Sequence, residues 1–213
     1  MTADIGDDAR SDCGDVPGDE QLLPSGTPAG ETSWDGDAYQ ARVDEWAASG
    51  SYLHAEADLV CSLDPATVLD AGCGTGRVAA ELSARGVDVI GVDRDVSMID
   101  TARQRVPDVS FLVADLADLD LGRTFDVVLL AGNVPLFTPA GTQEALLAGC
   151  GRHVSPGGYV VAGFQLGHGY ELSEWDASCQ TVGLVLVDRW ATWESEVFVD
   201  TSDYVVSVHR RMS

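Results

Sequence analysis

The sequence predicts an α/β fold: a doubly wound sheet, mostly parallel, completed by an antiparallel C-terminal hairpin strand. Three observations carry that prediction. Short apolar runs alternate with segments of helical period from Val68 onward, which is the signature of parallel strands joined by crossover helices. The stretch Val68–Arg77, VLDAGCGTGR, reads as a buried strand, a glycine turn and a helix start. After Gly183 come two β-branched runs, LVLVDRWATW and DYVVSVHRR. The residues between them are too few for a crossover helix, so the runs must pair antiparallel.

The chain has 213 residues and is 45% apolar, enough for one domain with a sizeable core. Residues 1–33 stand apart. They are rich in Asp, Gly, Pro, Ser and Thr, and Leu22 and Leu23 are nearly their only large apolar side chains. Such a segment cannot bury enough surface to offset the entropy of ordering, and it reads as a disordered acidic tail. The domain is expected over 34–213.

Within it, 37–63 reads mainly as helix. Tyr39, Val43, Trp46 and Ala47 recur at helical spacing, and Gly50 interrupts. Asp64-Pro65 ends the segment. Strands are expected at 67–71, 87–92, 109–114, 125–131 and 158–164, with helices at 76–85, 96–106 and 141–153. Asp95 is a natural N-cap for the second of these, with Met98, Ile99, Ala102 and Val106 on one face. The connection 115–124 is too short for a full helix. Ser155-Pro156-Gly157-Gly158 reads as a turn into the fifth strand, and a further helix is expected at 171–181.

Ligands of open parallel sheets bind at the carboxyl ends of the strands, near the point where strand order reverses. Those ends carry a consistent set here. The first strand ends at Asp70 and a turn with Gly72, Gly74 and Gly76; the second ends at Asp93, the third at Asp115, the fourth at Asn133. A buried carboxylate in such a place is costly without a partner. An acid ending the second strand can accept both hydroxyls of a ribose. Read from Gly74, the turn is G-x-G-x-x-A, which superficially fits a dinucleotide fold. However, Asp70 precedes the glycines, where it would repel a pyrophosphate. An acid there suits a cofactor with an ammonium and a sulfonium and no phosphate.

These motifs resemble those of class I S-adenosylmethionine-dependent methyltransferases, over about residues 37–212. VLDAGCGTGR matches the first motif, GVDRDVSMI the second and VADLADL the third, while FDVVLLAGN and SPGGYVVAGF match the next two strand segments. The resemblance implies a Rossmann-like fold and S-adenosyl-L-methionine as cofactor, with a role for each matching residue. Gly72, Gly74 and Gly76 let backbone approach the methionine portion, and Asp70 orients its amino group. Asp93, with Arg94 beside it, holds the ribose, and Met98 packs near adenine. Asp115 accepts from the adenine amine, with the Leu116 backbone alongside. Backbone near Ala131 to Asn133 faces the methionyl group, and Tyr39 closes over the cofactor. The implied reaction is in-line methyl transfer to a small-molecule acceptor, with no metal required in principle. A general base, if the acceptor needs one, would be His54 or His168. His153, at a helix end, reads as a partner of the helix dipole. The alternatives are a non-catalytic S-adenosylmethionine-binding protein and an NAD-dependent oxidoreductase.

Charge and composition narrow the partners. The formal charge is −23, and all twelve basic residues are arginine. Such a surface repels phosphate backbones and anionic membranes. The segment AGNVPLF also lacks the Asn/Asp-Pro-Pro-Tyr sequence of amino-group methyltransferases that act on DNA. The five cysteines form no CxxC pair, so reduced thiols and a cytoplasmic location are expected. Neither a signal peptide nor a membrane-spanning run is apparent. The acceptor is expected between the N-terminal helix and the loops after the fourth and fifth strands. Those segments carry Trp34, Tyr39, Trp46, Phe137, Phe164 and Tyr170, with Trp46 and Phe164 read as core.

Overall fold

The computed structural model describes residues 34–212; the expected tail lies outside them. Seven strands form one sheet: β1 (Thr67–Ala71), β2 (Asp88–Asp93), β3 (Ser110–Val113), β4 (Phe125–Leu130), β5 (Val154–Gln165), β6 (Leu184–Trp190) and β7 (Tyr204–Arg211). Their order is β3-β2-β1-β4-β5-β7-β6. The first five run parallel, and β7 lies antiparallel between β5 and β6. This is the expected architecture. The chain winds outward from β1 to β3, then returns to place β4 on the other side of β1. That reversal opens a crevice at the carboxyl ends of β1 and β4.

Helices cover both faces. One face carries α1 (Gly36–Ala48), α2 (Ala55–Ser62), α3 (Arg77–Ala84) and α4 (Val96–Arg105); the other carries α6 (Gln143–Arg152) and α7 (Leu172–Thr181). Being buried on both faces explains why the central strands read as continuous apolar runs. In β4, Val127 and Leu129 belong to the core with Leu82, Ile99 and Val60, while Val128 and Leu130 face Leu147, Phe164 and Trp175. Asp95 caps α4 as expected, its Oδ1 accepting from the Ser97 and Met98 N–H groups at 2.8 and 3.1 Å. Gly50 interrupts the N-terminal helical segment with a φ of 88°.

Two local expectations need correction. The Ser155–Gly158 segment is not a turn ahead of the fifth strand. Val154 already pairs with Phe125, and pairing resumes at Val127 with Tyr159, so these residues form a bulge inside β5. A one-turn helix, α5 (Val134–Phe137), follows β4 where none was expected. Asn133 enters it at a φ of 63° and Pro135 sits in its first turn, where the missing N–H costs nothing. His153, by contrast, caps the C-terminus of α6 and meets a carbonyl of its last turn, as expected. Its Nε2 accepts from the Leu121 N–H at 3.0 Å, which leaves Nδ1 to donate to the Gly149 carbonyl at 2.8 Å. Two backbone groups hold the ring in place.

No helix among the described residues is long and apolar enough to cross a membrane.

Candidate functional site

The glycine turn is tied to the neighbouring strand. The Gly72 and Cys73 N–H groups both donate to the Val92 carbonyl, at 2.7 and 3.0 Å. One residue on, the Gly74 N–H donates to Asp93 Oδ2 at 2.9 Å, and Asp93 Oδ1 accepts from the Asp95 N–H at 2.9 Å. Asp93 thus braces the turn with the same carboxylate that faces the crevice. Burial raises its pKa, against the pull of the Asp95 and Gly74 N–H groups. Asp95 extends the chain of contacts, because its Oδ2 accepts from the Trp34 N–H at 3.0 Å. The start of α1 is held on the same spot by the Gly36 N–H donating to Ser97 Oγ at 2.9 Å.

A cavity of about 330 Å³ opens at this crevice. Its floor is Asp70, Gly72, Gly74 and the Ala131–Gly132 backbone; Asp93, Arg94 and Met98 line one side, and Asp115 with Leu116 another. Tyr39 lines it from α1. Trp34 and Phe137 complete the wall, edge to face, with ring centroids 5.5 Å apart; Tyr39 meets Trp34 at 6.1 Å.

Asp70 is the most unusual group. Its residue is 1% exposed, and Oδ2 has no hydrogen-bond partner among the described residues. Burial pushes its pKa up to about 7, although the Arg77 guanidinium acts the other way. Arg77 is itself committed to Glu56, at 3.0 Å, and to the Leu53 carbonyl.

The residues expected to form the site do not all meet there. Gly76 does not line the cavity; a side chain at its Cα would lie 2.7 Å from Phe111 Cζ, so its bareness answers the core. Of the backbone expected at the methionyl group, Ala131 and Gly132 line the cavity, while Asn133 is wholly buried outside it, its Oδ1 accepting from the Gln165 N–H at 2.7 Å. His54 precedes α2 with Nδ1 3.2 Å from Glu81 Oε2, and His168 lies exposed between Gly167 and Gly169. Neither reaches the cavity. Tyr170 belongs to the core, its ring 6.1 Å from that of Phe164. Phe164 is core as expected, but Trp46, also read as core, is only half-buried, belongs to neither core cluster and does not line the cavity. Sequence reasoning missed the contribution of Thr142, at the N-cap of α6, and of Ala145 and Leu146 within it, for which no motif gives a signal. It also missed the second use of Asp95, seen only as a cap.

Comparison with known proteins agrees with this geometry. The model of a methyltransferase domain matches residues 68–158. A TehB-like S-adenosylmethionine-dependent methyltransferase from Corynebacterium glutamicum superposes with a TM-score of 0.79 at 35% identity, covering 83% of this chain and 97% of that one.

The chain belongs to the S-adenosylmethionine-dependent methyltransferase family.

The CcbJ methyltransferase from Streptomyces caelestis is also similar, with a TM-score of 0.66 at 25% identity over 75% of this chain and 94% of that one. Among curated relatives, the dTDP-3-amino-3,4,6-trideoxy-alpha-D-glucopyranose N,N-dimethyltransferase of Streptomyces venezuelae is 34% identical over 131 residues, 58% of this chain and 52% of that protein. The chain therefore spans about half the length of that relative.

The residues present fit the family's cofactor. The buried, unpartnered Asp70 oxygen calls for a cation or a donor. Cβ positions built on Gly74 and Gly132, both at positive φ, meet nothing within 4 Å, so the backbone is bare where a ligand would approach. An NAD pyrophosphate would bring anionic charge to Asp70, which sets the oxidoreductase alternative aside.

Proposed function

We propose that this protein transfers a methyl group from S-adenosylmethionine to a small acceptor bound beneath Trp34, Tyr39 and Phe137. The observation that carries the reading is one cavity joining the unpartnered Asp70 carboxylate to an aromatic wall. When bound, the cofactor supplies a methyl group already activated by its sulfonium. The chain's residues then have three tasks. Asp70 receives the ammonium, Asp93 the ribose hydroxyls, and Asp115 with the Leu116 backbone the adenine edge. Arg94 and Met98 flank the nucleoside. The aromatic wall excludes water and aligns the acceptor, and alignment alone can lower a barrier by several kcal/mol. No histidine lines the cavity among the described residues, so the reading favours acceptors whose lone pair is free without an enzyme base. Asp70, Asp93, Asp95 and Asp115 outnumber Arg77 and Arg94 around it, which favours a neutral or cationic acceptor over an anionic one or a nucleic acid.

The same reading takes 34–213 as the catalytic domain, with 1–33 outside it. It places the protein in the cytoplasm, supported by the free state of Cys61, Cys73, Cys150 and Cys179.

Two measurements test it. Asp93→Ala removes an acceptor of charge-assisted hydrogen bonds, typically worth about 1.5–3 kcal/mol, so affinity for S-adenosylhomocysteine should fall roughly ten- to hundredfold. Unchanged affinity in calorimetry would remove Asp93 from the ribose. Phe137→Ala opens the wall beside Trp34. Turnover of a screened small acceptor should drop at least tenfold, while cofactor affinity stays within about threefold, because alignment is lost and cofactor contacts are kept. A parallel collapse of both would place Phe137 on the cofactor instead. Cofactor binding without methylation of any small acceptor would favour the non-catalytic alternative.

A further inference from the structure

The loop that follows β3 is held from behind by one end of α6. Asp115 folds the loop on itself, its Oδ1 accepting from the Ala117 N–H at 2.9 Å. Asp115, Leu116 and Ala117 all line the cavity. On the far side, Arg152 Nη2 donates to the Ala117 carbonyl at 2.9 Å and to that of Leu119 at 3.3 Å. The Leu121 N–H donates to His153, two residues further along the loop. Just before the first of these anchors, the Leu116 carbonyl lies against the bare Cα of Gly149; a Cβ built there would fall 1.8 Å from that oxygen. Glycine is the weakest helix former after proline, and Gly149 sits inside α6. The close approach of Leu116 supplies the reason for it.

We propose that Arg152 and Gly149 are positioning residues for recognition of the cofactor's base: they fix the height and tilt of the Asp115–Ala117 edge at the cavity wall. The proposal rests on the reading of Asp115 and Leu116 as the adenine-facing edge. Arg152 is solvent-exposed, and its two acceptors are loop carbonyls and not core groups, so its replacement removes the brace and leaves the packed core intact. Gly149→Ala acts on the same edge from below, by forcing the Leu116 carbonyl away.

The test compares S-adenosylhomocysteine with S-inosylhomocysteine, whose base carries a carbonyl in place of the adenine amine. Calorimetry is done on the full chain, wild type, Arg152→Gln and Gly149→Ala. Wild type should prefer the adenine compound. Arg152→Gln should lose about tenfold in affinity for it, as expected for one charge-assisted hydrogen-bonded brace. The preference over the inosine compound should shrink toward one. The thermal midpoint should move little, and kcat at saturating cofactor should be kept. Arg152→Lys, which retains charge and reach, should recover part of the preference. Gly149→Ala should show the same loss of preference more strongly; if it does not fold, Arg152→Gln decides alone. A preference unchanged in Arg152→Gln overturns the proposal while leaving Asp115 as the reader of the base. No preference in wild type overturns both. A fall in affinity equal for the two compounds, with a lowered midpoint, would make Arg152 merely structural and also overturn it.

Discussion

Asp70→Asn should stabilise the ligand-free protein above pH 7 and sharply weaken its hold on the cofactor. The folded-state pKa of Asp70 is raised from 3.8 to about 7, chiefly by burial. The fold therefore disfavours the ionised form. The stability this group permits is fully present below pH 3.8, where it is protonated in both states. It is lost steadily as pH rises toward 7, and above 7 the loss is complete. The interval from 3.8 to about 7, at about 1.4 kcal/mol per pH unit, sets an upper bound of roughly 4 kcal/mol. Asparagine has nearly the same shape and no charge. The variant should melt several degrees higher than wild type at pH 8, with the advantage narrowing as pH falls from 7 toward 4. Binding should go the other way. A buried carboxylate facing a bound ammonium is a charged pair, and removing one partner commonly costs about 3–5 kcal/mol, so S-adenosylhomocysteine affinity should fall at least a hundredfold. Wild type should itself bind more weakly at pH 6 than at pH 8, because the ammonium then competes with a proton. A variant that melts lower than wild type at pH 8, or binds equally well, would show that Asp70 is satisfied within the fold.

This trade between stability and binding is the physical content of the strand ends. Asp70, Asp93 and Asp115 were legible because an acid at the end of an apolar run has no packing reason to be there. The parallel pairing of the first five strands followed from alternation, and the antiparallel pairing of β6 with β7 from the shortness of their connection, but the order of the strands did not. What escaped the sequence is what depends on distance across the fold. Gly76 and Gly74 look equivalent in VLDAGCGTGR, yet one answers Phe111 and the other faces open space. Asn133, three residues past β4, reads in sequence like Asp93 at the end of β2, but its φ is 63° and its Oδ1 accepts from the Gln165 N–H. His54 and His168 were drawn in by their chemistry alone, and nothing in one-dimensional spacing shows that a surface carboxylate or a glycine-flanked loop holds them elsewhere. The Trp34 contact with Asp95 joins residues 61 apart, and no local pattern announces it.

The two glycines make the strongest separation of function from fold. Both have positive φ, 53° at Gly74 and 80° at Gly76, so alanine at either carries a backbone strain of about 1–2 kcal/mol. Beyond that the consequences diverge. At Gly76 the new methyl would stand 2.7 Å from Phe111 Cζ and 3.3 Å from Ala102 Cβ, in a core where Phe111 is only 4% exposed. Overpacking of this kind costs typically another 1–3 kcal/mol, so Gly76→Ala should lower stability by about 2–5 kcal/mol in total. What remains folded should bind the cofactor within a few-fold of wild type, since Gly76 does not line the cavity. At Gly74 no protein atom lies within 4 Å of the added Cβ, and the residue does line the cavity. Gly74→Ala should therefore lose little beyond the backbone strain, yet its methyl occupies space that the cofactor needs. Affinity for S-adenosylhomocysteine should drop on the order of a hundredfold, the scale of a lost close backbone approach plus displaced contacts. Thermal melts and calorimetry on both variants give four numbers with a crossed pattern. If Gly74→Ala binds as wild type does, the cofactor does not approach this turn, and the assignment of the cavity floor fails at its centre.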